Sequence, residues 1–450
     1  MSPSASPPRR VPAVHLRTPP ASPSRRSRPS APLNNVFGFP LATAEHTPQN
    51  VAFYGFVVGV AGGAAMSLRW TDSANLASCA FVMLLSVGCG LEYVTRAVLR
   101  QEEGLKSFFF GGPTARENLL LLASPVEYAL RSWLLPSFAP RLAVVSSVGV
   151  ILAIAAQNVR TFSLVGLNAG PKDRRALRIS RVALHIWRCA LHLTLLNPVC
   201  FAMQILSPKA SGPRLSLPEA GCGPFGLPIF DGAHTPQNIA AHAYLLGVTA
   251  GAGLAAGFCS TPFRGLGFFI GMLAVFHVLE YICTAMHRPD VKMSAFLLRN
   301  GKEYYLAMTA GAIEFLVWHS LWPAINVFRW WNWIALVVVI AAQCLRSAAM
   351  LTAGANFTHL VADEKEPSHT LVTNGIYSTF RHPAYTAFYY WAIGTQLMAG
   401  NPICTLAFAV ALIRFFGDRI EYEEMRLLEF FGDQYAEYQK TTGVWIPSFG

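Results

Sequence analysis

Two polar segments near the end of the chain contain the residue types that could do chemistry. The first, at residues 369–385, reads HTLVTNGIYSTFRHPAY, and the second surrounds Arg419 and Glu423. Arginine can grip a carboxylate through two parallel N–H donors, and a glutamate can accept hydrogen bonds from a ligand. A helix would bring Arg419 and Glu423, four residues apart, onto one face. These two segments are therefore the candidates for function.

Both segments also have structural interpretations. Arg419 and Glu423 could form an ordinary ion pair along a helix. The Arg-His-Pro sequence at residues 381–383 could only mark a helix start, because proline fits the first turn. Tyr377 and Tyr385 could anchor the chain at the lipid headgroups, where aromatic side chains are enriched. The choice depends on where the segments occur in the chain.

The sequence contains two similar copies of one membrane unit, and only the second copy includes residues 369–385. The repeated motifs are HTPQN at 46–50 and 234–238, LEY at 91–93 and 279–281, and IAAQ at 154–157 and 340–343. The later pair, NPVC at 197–200 and NPIC at 401–404, aligns only if the first copy lacks a stretch that includes this block. Residues common to both copies are predicted to be scaffold, and the extra stretch is predicted to carry function.

The composition predicts a protein of membrane-spanning helices. Hydrophobic residues form 53% of the 450 residues and charged residues only 13%, which is too apolar for a soluble domain. Hydrocarbon offers backbone groups no water, so the spans must be helical. We expect an all-α polytopic transmembrane bundle of two parallel repeats, followed by a cytosolic C-terminal amphipathic helix at 418–440. The predicted spans are 51–68, 76–99, 119–133, 142–165, 239–258, 266–286, 304–322 and 334–352, followed by a pair divided at 401–402.

Composition and charge divide the chain into four parts. Residues 1–45 are an Arg/Ser/Pro-rich tail that we expect to be disordered. Residues 46–206 form a degenerate, non-catalytic membrane repeat, 207–233 a linker, and 234–450 the catalytic domain. Six of the net +11 charges come from arginines in the first 36 residues. The basic balance therefore indicates membrane topology, and we expect no nucleic-acid partner. Keeping the basic loops of both copies in the cytosol requires a re-entrant hairpin within residues 183–206.

Other ionisable and metal-binding residue types have a structural interpretation. The nine cysteines are scattered without a Cys-x-x-Cys pair, so we expect neither a metal site nor a disulfide framework. Glu280, Glu314 and Arg346 lie inside predicted spans, where an ionisable group is a candidate for function. The first copy has matching residues at Glu92, Glu127 and Arg160. A shared structural polar network is therefore the favoured interpretation.

Several motifs of the second copy resemble the isoprenylcysteine carboxyl methyltransferase family. They are residues 369–385, NPIC at 401–404, RFF at 414–416 and the segment 421–438, which follow one another in the family's order. Upstream, SAFLL at 294–298, EY at 303–304, CLR at 344–346 and NF at 356–357 extend the resemblance over residues 234–447. Three positions depart from the family pattern: Ala362 replaces a frequent glutamine, Ala387 a glycine, and Tyr422 a glutamate in a run of glutamates.

The resemblance implies methylation, with S-adenosylmethionine, of the C-terminal prenylcysteine carboxylate of CaaX-processed proteins. The site would face the cytosol at the endoplasmic reticulum membrane, with the lipid bilayer and farnesyl- or geranylgeranyl-cysteine C-termini as partners. Arg419 would be the catalytic, substrate-binding residue. The cofactor contacts would be His369, Thr370, Leu371, Val372, Tyr377, His382, Pro383, Ala384, Tyr385 and Glu423.

Elementary chemistry agrees with what the resemblance implies. A carboxylate is already ionised at neutral pH, so methyl transfer needs a well-positioned nucleophile rather than a general base. A sterol-reductase-like membrane oxidoreductase and a non-catalytic prenyl-binding membrane scaffold are the alternatives. A scaffold role is expected for the first copy, which would pack on the second as an intramolecular pseudo-dimer.

Overall fold

The structure is a computed structural model that describes residues 41–43, 45–71, 76–99, 105, 229–260, 262–288 and 290–447. Regular structure in these residues is entirely helical. The helices are α1 (Pro48–Thr71), α2 (Leu76–Leu99), α3 (Pro236–Cys259), α4 (Arg264–His287), α5 (Lys302–Leu321), α6 (Trp330–Ala353), α7 (Pro383–Ala399), α8 (Pro402–Phe431) and α9 (Asp433–Thr441). Short 3-10 turns lie in the connections at Met293–Phe296, Pro323–Asn326, Gly354–Asn356 and Gly375–Ser378.

Part of the predicted organisation lies outside the described residues. The expected spans at 119–133 and 142–165 and the re-entrant hairpin within 183–206 belong to that part. Most of the tail and of the linker belong to it as well. The four-part division of the chain therefore stays a prediction.

Four described segments are long and apolar enough to cross a bilayer. They are Pro48–Ser67, Pro236–Cys259, Arg264–His287 and Trp330–Asn356, with 20 to 27 residues each. About twenty apolar residues are needed to span the hydrocarbon. Large apolar side chains on α5 and α6, among them Leu306 and Val337, are exposed, which suits contact with acyl chains. The predicted all-α, multi-pass membrane fold is confirmed.

Helix α4 is the central element of the bundle, because it packs against α1, α3, α6 and α7. One apolar cluster joins it to α6 and α7 around Phe276 and Trp391, whose ring centroids lie 4.7 Å apart. A second cluster joins it to α1, α2 and α3 around Val51 and Tyr281. Helices α6 and α7, which flank the polar segment 354–382, therefore both pack against α4.

Helices α1 and α3 pack closely and in parallel through glycines. Gly59 and Gly63 of α1 face the backbone of α3, and Gly247 and Gly251 of α3 face the backbone of α1. A Cβ added at any of these four positions would overlap a carbonyl oxygen of the opposite helix. Small residues permit such close approach, and in lipid this approach supplies much of the attraction between helices.

The same hydrogen bonds occur at the starts of α1 and α3. His46 Nε2 lies 2.6 Å from the Tyr93 hydroxyl, and His234 Nε2 lies 2.8 Å from the Tyr281 hydroxyl, and the partners are 47 positions apart in both cases. The side-chain amides of the two HTPQN asparagines each donate to a backbone carbonyl five residues earlier, at 3.0 and 2.8 Å. The repeated sequence motifs therefore make equivalent local contacts.

Helix α8 is longer than the sequence pattern predicted. It runs unbroken for 30 residues and ends only at Gly432, which has a φ of +54°. The prediction of a separate amphipathic helix at 418–440 is therefore wrong in its boundaries, since its first part continues the preceding apolar helix. At about 1.5 Å per residue α8 is ~45 Å long, against ~30 Å of hydrocarbon. The helix is therefore longer than the hydrocarbon is thick.

The opposite end of α8 is fixed by a carboxylate from α5. Glu314 accepts hydrogen bonds from the backbone N–H groups of Ile403 at 2.8 Å and Cys404 at 2.6 Å. Trp318 Nε1 donates to the same carboxylate at 3.0 Å. The first N–H groups of a helix lack partners within the helix, so this ionisable residue has a structural role.

Replacing Gly251 with leucine is expected to separate α1 from α3. The new side chain would overlap the backbone of α1 at Val60, and overpacking typically costs about 1–3 kcal/mol. We expect the melting temperature of the detergent-purified protein to fall by several degrees in differential scanning fluorimetry. Thr249→Leu adds bulk to the exposed face of the same helix and should melt like the wild type. Equal losses in both variants would contradict the close packing.

Candidate active site

An open cavity lies where α6 ends, α7 begins and the charged half of α8 passes. About 170 Å³ of it is accessible to water. Nine of the ten predicted cofactor residues line it, namely His369, Thr370, Leu371, Val372, Tyr377, His382, Ala384, Tyr385 and Glu423. The tenth, Pro383, is not among the lining residues and instead begins α7.

The loop after α6 brings residues 369–372 to the cavity. Gly354, with a φ of +56°, turns the chain out of α6. The Asn356 side chain then accepts a hydrogen bond from the Thr370 N–H at 2.9 Å and donates one to the Thr370 hydroxyl at 3.2 Å. This two-way contact fixes residues 369–372 beside the end of α6.

The Arg-His-Pro segment marks a helix start and also lines the cavity. Pro383 is the first residue of α7, and His382 before it has a φ of +52°. That left-handed conformation is uncommon for residues other than glycine, and it persists where surrounding contacts hold it. The His382 ring is stacked on Tyr385, with centroids 5.5 Å apart and an interplanar angle of 2°. The two interpretations of this segment are therefore compatible.

His382 lies between two neighbouring carboxylates of α8. Its Nδ1 is 3.5 Å from Glu423 Oε2, and its Nε2 is 3.2 Å from Glu424 Oε1. Burial alone would lower the pKa of His382, but its contacts with Glu423 and Glu424 outweigh burial and raise the pKa to about 9. Glu424 is further bound by Arg381 at 2.7 Å and by Gln439 at 2.9 Å. His382 is therefore a fixed cation at neutral pH.

Glu423 combines a negative charge with an unsatisfied oxygen at the cavity wall. Burial would raise the pKa of Glu423, but its contacts with His382 lower it, so the carboxylate stays ionised. Its buried Oε2 lies 3.5 Å from His382 Nδ1 in an ion-pair contact but has no hydrogen-bond partner among the described residues. Arg426 Nε, on the next turn of α8, is also buried without a hydrogen-bond partner there. Buried polar atoms rarely lack partners, so a polar ligand in the cavity fits both.

Arg419 lies beside the cavity rather than among its lining residues. Its Nε donates to the Tyr385 hydroxyl at 2.8 Å, and its Nη2 donates to the His359 carbonyl oxygen at 2.7 Å. Among the described residues, Arg419 thus contacts Tyr385 and His359 instead of forming the ion pair with Glu423 that the spacing allowed. A guanidinium has more N–H donors than these two contacts use, so Arg419 can still bind a carboxylate.

Several wall residues were not singled out from the sequence. On α8 and α9 they are Arg426, Leu427, Phe430, Phe431, Tyr435 and Tyr438. Leu427 and Phe430 follow Glu423 by four and seven positions, which is the spacing of one helical face, so periodicity could have indicated them. Tyr438 reaches the site only through the turn at Gly432, and its hydroxyl donates to the Tyr377 carbonyl oxygen at 2.5 Å. No local signal marks that contact.

A charged pair is buried between α4 and α6 below the cavity. Arg346 donates to both carboxylate oxygens of Glu280, at 2.7 and 2.9 Å, and Glu280 has no exposed surface. His359 Nε2 donates to the same carboxylate at 2.9 Å. The favoured polar network therefore exists in the second copy. Its counterpart in the first copy stays a prediction, because those side chains lie outside the part that the structure describes.

The fold and the charged cavity define a multi-pass membrane protein with a small-molecule site at one end. The model of the "Isoprenylcysteine carboxyl methyltransferase (ICMT) family" matches residues 333–429. A Xenopus laevis protein-S-isoprenylcysteine O-methyltransferase is 37% identical over 280 residues, which are 62% of this chain and 96% of that protein. The protein of the same name from Homo sapiens is 41% identical over 211 residues, covering 47% of this chain and 74% of that protein.

A solved structure of the eukaryotic intramembrane Ras methyltransferase ICMT aligns with a TM-score of 0.46 and 28% identity, over 68% of this chain and 97% of that one. On the sequence relationship, the chain belongs to the isoprenylcysteine carboxyl methyltransferase family. The resemblance stated for residues 234–447 is therefore confirmed, and the sterol-reductase alternative is set aside. Family membership makes the chain a methyltransferase that requires a methyl donor.

The stability of the site should depend on pH through His382. Because folding raises the pKa of His382, its stabilising contribution is fully present below 6.5 and is lost as the pH rises through about 9. We expect the melting temperature of the purified protein to fall further over this range in the wild type than in His382→Gln. Parallel pH profiles for the two proteins would contradict a cation held between Glu423 and Glu424.

Proposed function

We propose that the chain transfers a methyl group from S-adenosylmethionine to the C-terminal prenylcysteine carboxylate of CaaX-processed proteins. The observation that carries the proposal is a carboxylate at the cavity wall with a guanidinium close behind the wall. Glu423 lines the cavity with an oxygen that makes no hydrogen bond, and Arg419 has N–H donors left for an anion. Tyr385 lines the cavity and accepts a hydrogen bond from Arg419, so the guanidinium lies next to a lining residue.

The residues around the cavity suit S-adenosylmethionine. When bound, this cofactor supplies an electrophilic methyl group on a positively charged sulfur. Glu423 accepts a hydrogen bond from the ligand and favours its positive charge, because the carboxylate stays ionised. Residues 369–372 present backbone groups held by Asn356, and the rings of Tyr377 and Phe430 present flat apolar faces. The ten cofactor contacts taken from the resemblance thus form the proposed site, with Pro383 acting by shaping the start of α7.

Arg419 would bind the carboxylate that is methylated. The carboxylate is ionised at neutral pH, so the chain does not have to remove a proton. The guanidinium fork holds both oxygens, and Tyr385 and His359 hold the guanidinium. Fixing the nucleophile toward the donor can supply much of the rate enhancement, because a bimolecular step becomes effectively unimolecular.

The location of the site at the end of the bundle suits a lipid-linked substrate. A prenyl chain partitions into hydrocarbon, while its carboxylate stays at the polar boundary. Arg288, Lys292, Arg299 and Lys302 cluster at this same end, where Arg288 donates to the Phe357 carbonyl oxygen at 3.4 Å. The positive-inside tendency favours the cytosol for this end. Location in the endoplasmic reticulum is proposed from the family resemblance.

Arg419→Ala and Glu423→Gln should each strongly reduce methyl transfer in washed membranes, for different reasons. The first removes the grip on the carboxylate, and the second removes the charge beside the donor. A charged hydrogen bond is worth ~1.5–3 kcal/mol, so we expect losses of about tenfold or more. The measurement is transfer of labelled methyl from S-adenosylmethionine to N-acetyl-S-farnesylcysteine, with both concentrations varied. Arg419→Ala should act mainly on the prenylcysteine KM, and Glu423→Gln mainly on that of the donor.

Glu421→Gln is the matched control for Glu423→Gln. Glu421 lies on the same helix two residues away, but its side chain is exposed. It should retain wild-type kinetics. Near-normal turnover by Arg419→Ala or by Glu423→Gln would contradict the proposed function.

We further propose that the first repeat is a non-catalytic partner of the second within one chain. Two observations support this pseudo-dimer: the parallel glycine packing of α1 on α3, and the equivalent histidine–tyrosine contacts of the two HTPQN motifs. The first repeat also lacks sequence counterparts of His382, Arg419 and Glu423. Helix α1 then covers the glycine face of α3 that a second molecule would otherwise cover.

An intramolecular partner predicts that the purified chain is a monomer in detergent. Multi-angle light scattering, corrected for bound detergent, should give the mass of one chain. A mass of two chains would contradict the pseudo-dimer. It would leave the proposed methyl transfer unaffected, since the residues that line the cavity all lie in the second copy.

A further inference from the structure

The charged pair buried in the bundle is connected to Arg419 from two sides. Glu280 of α4 and Arg346 of α6 form a bidentate pair, with N–O distances of 2.7 and 2.9 Å. Both side chains are buried, and an unpaired charge at such a place would cost several kcal/mol. Each partner therefore keeps the other in one orientation. The pair is a fixed point from which neighbouring groups can be positioned.

The first connection leaves from Arg346 and passes through α7. Arg346 Nη1 donates to the Ala384 carbonyl oxygen at 3.0 Å, in the first turn of that helix. The next residue is Tyr385, whose hydroxyl accepts the hydrogen bond from Arg419 Nε at 2.8 Å. The rings of Phe276 and Phe388 lie 5.8 and 5.7 Å from the Arg346 guanidinium and restrict its movement.

The second connection leaves from Glu280 and passes through the loop after α6. The carboxylate accepts a hydrogen bond from His359 Nε2 at 2.9 Å. The carbonyl oxygen of His359 in turn accepts one from Arg419 Nη2 at 2.7 Å. The two connections therefore close a circuit that begins and ends at the Glu280–Arg346 pair.

We propose that Glu280, Arg346 and His359 are positioning residues for Arg419. The circuit fixes the plane of the Arg419 guanidinium by holding Nε and Nη2, which lie along one edge of it. The Nη1 group and the second N–H of Nη2 remain at its far end, where they meet the substrate carboxylate. This inference rests on the proposed role of Arg419 in binding that carboxylate. It explains why two residues inside the bundle and one on the following loop affect the reaction without contacting either ligand.

His359→Leu and His359→Gln form the central test in the purified full-length protein. Glutamine can place an N–H near the position of the histidine Nε2 and so keep the hydrogen bond to Glu280, whereas leucine cannot. We expect His359→Leu to raise the KM of N-acetyl-S-farnesylcysteine about tenfold or more, since small displacements of a binding group have large effects. The Kd of S-adenosylhomocysteine, measured by calorimetry, should stay within about twofold of the wild type, and His359→Gln should recover most of the KM.

Glu280→Gln tests the other end of the same connection. It keeps the shape of the side chain but removes its charge, and it should raise the same KM with little effect on S-adenosylhomocysteine binding. Glu421→Gln is again the control, because it makes the same change at an exposed side chain that contacts neither connection. It should leave the prenylcysteine KM unchanged. If Glu280→Gln fails to fold, the two His359 variants decide, since that side chain is partly exposed on a loop.

Arg419→Ala in the same assay separates failure of this inference from failure of the proposed function. An unchanged prenylcysteine KM in Arg419→Ala would overturn the proposed function, and with it the inference. A raised KM in Arg419→Ala but a normal KM in His359→Leu would overturn the positioning role alone. Equal losses of substrate and S-adenosylhomocysteine binding in His359→Leu, without recovery in His359→Gln, would indicate general disruption and would also overturn it.

Discussion

The bidentate contact between Glu280 and Arg346 is the interaction on which the site depends. Neither charge could remain in the bundle alone, because hydrocarbon and packed side chains solvate charge poorly. Of the donors and lone pairs that this pairing leaves, one guanidinium N–H binds the Ala384 carbonyl oxygen and the carboxylate binds His359. The polar groups of the bundle interior thus connect to residues on two sides of the cavity. Farther from the cavity, α4 packs through an apolar cluster.

Helix α8 connects the membrane bundle to the chemistry in a second way. An α-helix turns once in about 3.6 residues, so a slip of one residue at either end would rotate every side chain by roughly 100°. Glu314 binds the first N–H groups of α8 and fixes where the helix begins. Because the helix is unbroken from there, that contact also decides which face carries Glu423 to the cavity. A break before residue 419, as the sequence pattern suggested, would have separated the two ends.

The sequence predicted several of the spans because apolar length is what the bilayer requires. The expected segments 239–258, 266–286 and 334–352 lie within α3, α4 and α6 and miss only a few residues at each end. The boundary of α8 was wrong because a change from apolar to charged residues does not end a helix; a backbone change at Gly432 does. The cavity motif was recognisable as a resemblance. His359 was not, because its carbonyl oxygen binds Arg419, and any residue type provides a carbonyl.

The same reasoning explains why particular motifs of α1 and α2 recur in α3 and α4, as the proposed two-repeat organisation expects. Helices gain little from the hydrophobic effect inside lipid, so the glycine face of α3 is useful only when another backbone lies against it. Helix α1 supplies that backbone, and its own glycines receive α3 in return. The histidine and asparagine of each HTPQN motif satisfy polar groups at the helix starts, a need that exists whether or not a cofactor is bound. In the proposed two-repeat organisation, residues that membrane packing requires recur in both copies, whereas residues that methyl transfer requires occur in one.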